Sequence, residues 1–201
     1  MITVVACFFL ETAWIRRGPG MRVARIRPGA PAGFERDLGR PDLLVSTGFC
    51  GGLSEDLKTG DLILATEIAH QGRRIAVSPE ILARAEEGLA RVGIAPKLGS
   101  IVTAARVAVT LAEKGRLREE TGAIGVEMEA GRLAEWADEN GIGFIAVKAV
   151  LDEADEPLPL RRATDAILHP IAAVRAGLAG VRAGRAIGRG ISGIVWQSLG
   201  G

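Results

Sequence analysis

Ile2 to Cys7, Asp42 to Ser46 and Phe144 to Val150 are short runs in which apolar and β-branched residues fill odd and even positions alike. A strand with one wet face alternates, so such runs belong to strands covered on both faces. Asp61 to Ile68 reads as a further strand, as does Gly99 to Thr103, and Met21 to Ile26 alternates weakly. Helical patterns lie between them. Ser78-Pro79-Glu80 starts one, with Ser as N-cap and Pro at the first position. Ile81, Leu82, Ala85, Leu89 and Val92 then share a face, while Glu87 and Arg91 pair one turn apart. Val109 to Glu120 reads as a polar helix, and Glu127 to Glu139 as one burying Ala130, Leu133, Ala134 and Ala137 before Asn140-Gly141 ends it. Thr12 to Arg17 suggests a short helix. Strands alternating with helices predict an α/β fold in a single domain, its mixed, mainly parallel central sheet wrapped by helices.

The remaining segments divide the chain unevenly. Residues 1–160 carry the α/β pattern, and 161–201 form an Arg-, Ala- and Gly-rich helical tail. From Pro157 onward six Arg face one Asp, although the whole chain is only +1, so no global case for nucleic-acid binding exists. In the tail, Val174, Leu178 and Val181 lie near Arg175, Arg182 and Arg185 on a helical wheel, with Ala and Gly opposite. Gly180, Gly184 and Gly188 would each cost about 1 kcal/mol in an isolated helix, so this helix needs a surface to lean on. That surface is either its own domain, a second subunit or an anionic membrane. Cys7 and Cys50 are isolated, no apolar run approaches the roughly 18 residues of a membrane span, and the start lacks a signal pattern. The expectation is a cytoplasmic protein. His70 and His169 are far apart and in no ligand spacing, so no metal is expected.

Acids are the residues with chemical promise. Glu127 and Glu129 share a face on a strand end but diverge on a helix, where they would simply favour the first turn. Asp152 follows a buried-type strand, at the edge where open α/β sheets bind ligands. Thr47 to Gly52 reads as a Gly-rich loop after a strand, able to approach an anion or a hydroxylated ligand with backbone N–H groups, or to serve as a tight turn. It matches neither the dinucleotide nor the Walker pattern.

Ser46-Thr47-Gly48-Phe49-Cys50-Gly51-Gly52-Leu53 with Leu57-Lys58-Thr59-Gly60-Asp61, then Val126-Glu127-Met128-Glu129-Ala130, then Val147 to Asp155, taken in this order and spacing, resemble the nucleoside phosphorylase and nucleosidase superfamily. They look most like its methylthioadenosine/adenosylhomocysteine nucleosidase branch, and Glu11 fits that branch's catalytic Glu position. The resemblance implies a nucleoside phosphorylase-like fold, a small-molecule nucleoside as partner, a homo-oligomer, and cleavage of a purine N-glycosidic bond without a cofactor. It implies that Asp152 protonates the purine N7 and that Glu11 activates water. Glu129 would bind the ribose hydroxyls, with Met128 packed under the sugar and Glu127 in support. Phe49, Cys50 and Gly51 would line the substrate site, and Val107 stands about where an aromatic residue stacks on the base.

Several positions depart from the pattern. Phe49 replaces a Ser, Val107 replaces the aromatic, and Arg27-Pro28-Gly29-Ala30 stands in place of a Gly-Ile-Gly-Lys-like segment. Where the superfamily's phosphorylases carry a Gly- and Arg-containing phosphate loop, this chain has Ala6-Cys7-Phe8-Phe9-Leu10-Glu11, which favours hydrolysis. Phosphorolysis would need Arg16, Arg17 or Arg106. Ala154-Asp155-Glu156-Pro157-Leu158-Pro159 and the Arg-rich tail are similar to hopanoid-associated members, implicated in removing adenine from adenosylhopane. The futalosine-hydrolase pattern fits less well, since that group tends to have Asn where Asp152 stands. A rival of another class is a non-catalytic nucleoside-binding or membrane-associated protein of the same fold.

Overall fold

The computed structural model describes residues 1–156 and 170–198. Its strands are β1 (Ile2–Ala6), β2 (Met21–Arg25), β3 (Leu43–Gly52), β4 (Leu62–His70), β5 (Arg73–Ala76), β6 (Lys97–Thr103), β7 (Gly125–Glu127) and β8 (Gly143–Asp152). The helices are α1 (Phe9–Thr12), α2 (Pro79–Arg91), α3 (Leu111–Thr121), α4 (Ala130–Glu139) and α5 (Pro170–Ser198). The predicted mixed, mainly parallel sheet is present. β1 pairs β2 and β3 in parallel, and β8 runs parallel to β3 but antiparallel to β4. β6 lies parallel to β4 and β7, while β7 meets β3 antiparallel, so β3, β8, β4, β6 and β7 close into a ring.

Each face of the sheet is covered. On one side Val5, Leu44, Ile68, Ile101 and Phe144 pack with Leu133, Ala134 and Ala137 of α4. On the other, Val4, Val45, Leu64 and Val147 pack with Leu89 of α2 and with Ile187, Ile191 and Ile194 of α5. Burying each of these Ile and Leu side chains contributes about 1.5–3 kcal/mol. The tail therefore leans on its own domain, and with its small-residue face. Gly180 lies against Leu10, and Gly184 and Gly188 lie against Trp14. Gly193 crosses Gly88 of α2 so closely that a Cβ on Gly88 would stand 2.6 Å from the Gly193 carbonyl oxygen. Arg182, Arg185 and Arg189 face outward, and Leu178, on the side read as apolar, is exposed. The side chains of Val174 and Arg175, together with His169 and the Pro157–Pro159 segment, lie outside the described residues.

Three boundaries differ from the sequence reading. Thr47 to Gly52 is not a loop: β3 continues through Gly52, with a register shift between Cys50 and Gly51. The short helix starts at Phe9, not Thr12, because the Glu11 carboxylate reaches back to the N–H groups of Cys7 and Phe8. The helix expected from Glu127 starts at Ala130, because Glu127 is the last residue of β7, paired with Thr103. β5 was not foreseen. It forms a hairpin with β4 through Gln71 and Gly72, whose φ values of 48° and 79° fit the mirror-image turn that joins twisted strands.

Candidate active site

Glu11, Gly51, Glu129 and Asp152 stand at or just beyond the carboxyl ends of β1, β3, β7 and β8. Glu11 is buried and accepts three backbone hydrogen bonds: from Cys7 (2.8 Å) and Phe8 (2.7 Å) at Oε2, and from Phe49 (2.9 Å) at Oε1. It occupies the space above Gly48, whose φ is +128° and where a Cβ would come within 2.7 Å of Oε1. A residue other than Gly at 48 would be both strained and in collision. This is why the segment is Gly-rich within a strand.

Glu129 precedes α4 and accepts a hydrogen bond from the Gly29 N–H at 2.9 Å. Burial raises its pKa, Lys148 partly offsets that, and the nearby Glu127 and Glu11 add to it. Cys7 is also pushed up, by burial first and then by Glu129. Its thiol therefore stays protonated, as a neutral wall of the site. Met128 is half-buried.

Glu127 is turned inward. Its Oε2 accepts from the N–H groups of Glu129 (2.9 Å) and Ala130 (2.8 Å) and lies 3.0 Å from Lys148 Nζ, while Oε1 accepts from the Thr103 hydroxyl at 2.5 Å. Burial alone would raise its pKa, but Lys148, Thr103 and the two N–H groups bring it below the ordinary range. Burial likewise works against the Lys148 charge, and Glu127, Glu129 and Glu11 overcome it, so the ammonium binds its proton more tightly than usual. Lys148 also donates to the Thr47 carbonyl. Glu127 thus anchors the turn that presents Glu129.

Asp152 ends β8 opposite Gly51, where a Cβ would stand 3.4 Å from Oδ2. Burial raises its pKa, and the ammonium of Lys114, in contact with Oδ2, partly counters this. Lys114, on α3, is as buried as its partner and donates to the carbonyls of Glu153 (2.5 Å) and Glu156 (2.9 Å).

Other expected residues are placed differently. Phe49 contributes its N–H, and its ring packs into the apolar layer beneath α2 and α5. Cys50 is buried in the opposite layer, and burial raises its thiol pKa. Val107 is exposed on the segment between β6 and α3. Arg106 pairs with Glu113 at 2.7 Å, and Arg16 and Arg17 are exposed. His70 is buried against Gly131 with Nδ1 3.1 Å from Glu135, a packing position beneath α4.

Sequence reasoning missed Lys114, Lys148 and Thr103. Lys148 carried a signal, since a cation in the middle of an apolar strand run requires a buried counter-charge. Lys114 carried none, because α3 reads as polar around its whole circumference.

Residues 34–176 match the family model described as the phosphorylase superfamily. Among solved structures, futalosine hydrolase of Helicobacter pylori strain 26695 is similar at 17% identity and a TM-score of 0.75, covering 96% of this chain and 96% of that one. A 5'-methylthioadenosine/S-adenosylhomocysteine nucleosidase from Neisseria meningitidis, in complex with methylthio-immucillin-A, is similar at 21% identity and a TM-score of 0.76, covering 96% and 97%. An S-adenosylhomocysteine nucleosidase from Streptococcus pyogenes, in complex with 5-methylthiotubericidin, is similar at 14% identity and a TM-score of 0.73, covering 96% and 95%. At these identities the likeness is one of fold.

Proposed function

Because the chain belongs to the phosphorylase superfamily, we propose that it is a purine nucleosidase hydrolysing the N-glycosidic bond of an adenine-type nucleoside, one with a 5' substituent of the methylthio or adenosylhopane kind. The observation that carries hydrolysis is the position of Glu11. Its carboxylate already occupies the three N–H donors of Cys7, Phe8 and Phe49, donors that a phosphate would otherwise claim. A carboxylate there repels phosphate. With about four acceptor sites on its two oxygens, it keeps one for a water molecule. The bound nucleoside analogues of the similar nucleosidases support the substrate class.

The residues then divide the reaction. As the C1'–N bond breaks, its electrons pass to the base, and protonated Asp152 delivers a proton to N7, making the base a neutral leaving group. Burial of Asp152 favours the protonated form that this step needs. Glu129 accepts hydrogen bonds from the ribose hydroxyls and stabilises the positive charge growing on the sugar. Water adds to C1', its proton passing to Glu11, and solvent returns that proton to Asp152. Met128 supplies an adaptable apolar surface beside Glu129. The same reading expects a homo-oligomer, for which exposed Phe8, Phe9 and Trp14 beside Glu11 provide an apolar face.

Incubation with methylthioadenosine, adenosine, inosine and an apolar 5'-substituted adenosine, with and without phosphate, followed by chromatography of the free base, tests the proposal. Release of base independent of phosphate is expected. A phosphate requirement would make the protein a phosphorylase, and no release from any nucleoside would leave only a binding role.

A further inference from the structure

The contact between α3 and the end of β8 specifies more than the identity of the acid. Lys114 Nζ has three N–H bonds and meets three oxygens: Asp152 Oδ2, the Glu153 carbonyl and the Glu156 carbonyl. Two of its N–H bonds go to the carbonyls and its charge lies against Oδ2, so the protein encloses it. It can act on a substrate only through Asp152. The two oxygens of Asp152 are consequently unequal. Oδ2 is buried against the ammonium in an ion pair that lacks hydrogen-bond geometry, whereas Oδ1 has no such cation against it among the described residues.

Given the reading of Asp152 as the acid, we propose that Lys114 is a positioning residue that holds Asp152 through Oδ2 and leaves Oδ1 as the oxygen that carries and delivers the proton. A proton on Oδ2 would point at a cation, which is the costlier arrangement. Lys114 also pins the turn from Glu153 to Glu156, so the direction of Oδ1 is fixed by the same side chain that biases its charge. Among the described residues, few groups face Asp152. Lys114 approaches from α3, Glu156 from the following turn and the neutral, buried thiol of Cys50 from β3. Glu153 is turned away, held by Lys58 at 2.8 Å and the Thr59 N–H at 3.1 Å. Among the described residues Lys114 is thus the one cation opposing protonation, and its charge sets the upper pH at which the acid remains loaded.

The test follows Asp152 directly. Infrared difference spectra of the whole protein across pH, with the carboxyl band assigned by Asp152→Asn, give its titration without any turnover. Lys114→Gln should move that titration up by about one to three pH units, as loss of a cation in contact requires. The alkaline limb of kcat should move with it, with KM little changed, while Lys114→Arg, which keeps the charge, should leave both near their original pH. An unmoved Asp152 titration in folded Lys114→Gln, or an Arg variant behaving like the Gln variant, would overturn the proposal. Should Lys114→Gln fail to fold, the Lys114 Cε carbon resonance of the unsubstituted protein decides: it must titrate with the midpoint of Asp152, and independence of the two rejects the coupling. A protein that cleaves no nucleoside would refute the proposed reaction, yet these two titrations would still accept or reject the link.

Discussion

Lys148 shows how one residue holds several others in place. It is fully buried and ion-paired with Glu127, which in turn caps the N–H groups that present Glu129. Lys148→Met leaves the buried Glu127 carboxylate without its counter-ion, and should cost about 3–5 kcal/mol in urea unfolding. The sign of the pH dependence follows from Glu127. Its folded pKa is depressed, so its contribution is complete above the unfolded value of about 4.3 and is lost as pH falls through the folded value. Unfolding midpoints measured from pH 6 downward should therefore fall on acidification in the native chain, and much less in Lys148→Met. For the chemistry, Asp152→Asn should lower kcat by about 10²- to 10⁴-fold while leaving binding of the free purine base nearly unchanged. Equal losses of turnover and binding would remove Asp152 from the acid role. The places of Glu11, Glu129 and Asp152 in the fold were readable because each stands at the end of a recognisable strand or beside one. Lys114 was not, since its burial comes from where α3 lands and not from its neighbours in sequence.

Among the elements, α5 carries the clearest contrast. Gly193 and Gly177 belong to the same helix and to the same residue type, but their surroundings differ. Gly193 touches Gly88 of α2, while a Cβ at Gly177 would meet nothing within 4 Å. Gly193→Ala should destabilise by about 1–3 kcal/mol through overpacking, and Gly177→Ala should stabilise by about 1 kcal/mol through helix propensity. Paired denaturation curves check both. The tail's need for a supporting surface was legible from its glycines. The spacing of Gly180, Gly184 and Gly188 also pointed to the face that packs closely, but not to what it would meet, since Leu10, Trp14 and Gly88 are distant in sequence. The long β3 was misread for a related reason. Glycines usually interrupt strands, but here Gly48 and Gly51 make room for the carboxyl groups of Glu11 and Asp152.

At the scale of the whole molecule, the described part of α5 is a wall of the core. Ile187, Ile191 and Ile194 are essentially inaccessible to solvent. A chain ending at residue 169 should lose its cooperative thermal transition and its near-ultraviolet dichroism; retention of both would show that α5 is dispensable. Alternating strands and helices made the α/β class predictable, but not the order of the strands. That order depends on partners distant in sequence, such as Ser46 beside Ala146 and Leu64 beside Val147. The closed circuit of β3, β8, β4, β6 and β7 has one more effect, on colloidal behaviour. Among the described strands it leaves two margins, β2 and β5, where another chain's backbone could dock. Both are short, and each carries a pair of arginines, Arg22 with Arg25 and Arg73 with Arg74. Charges on a brief margin deter edge-to-edge stacking. This apolar sheet therefore carries its own protection against aggregation, and Arg22→Val with Arg73→Val should reveal it as turbidity on concentration.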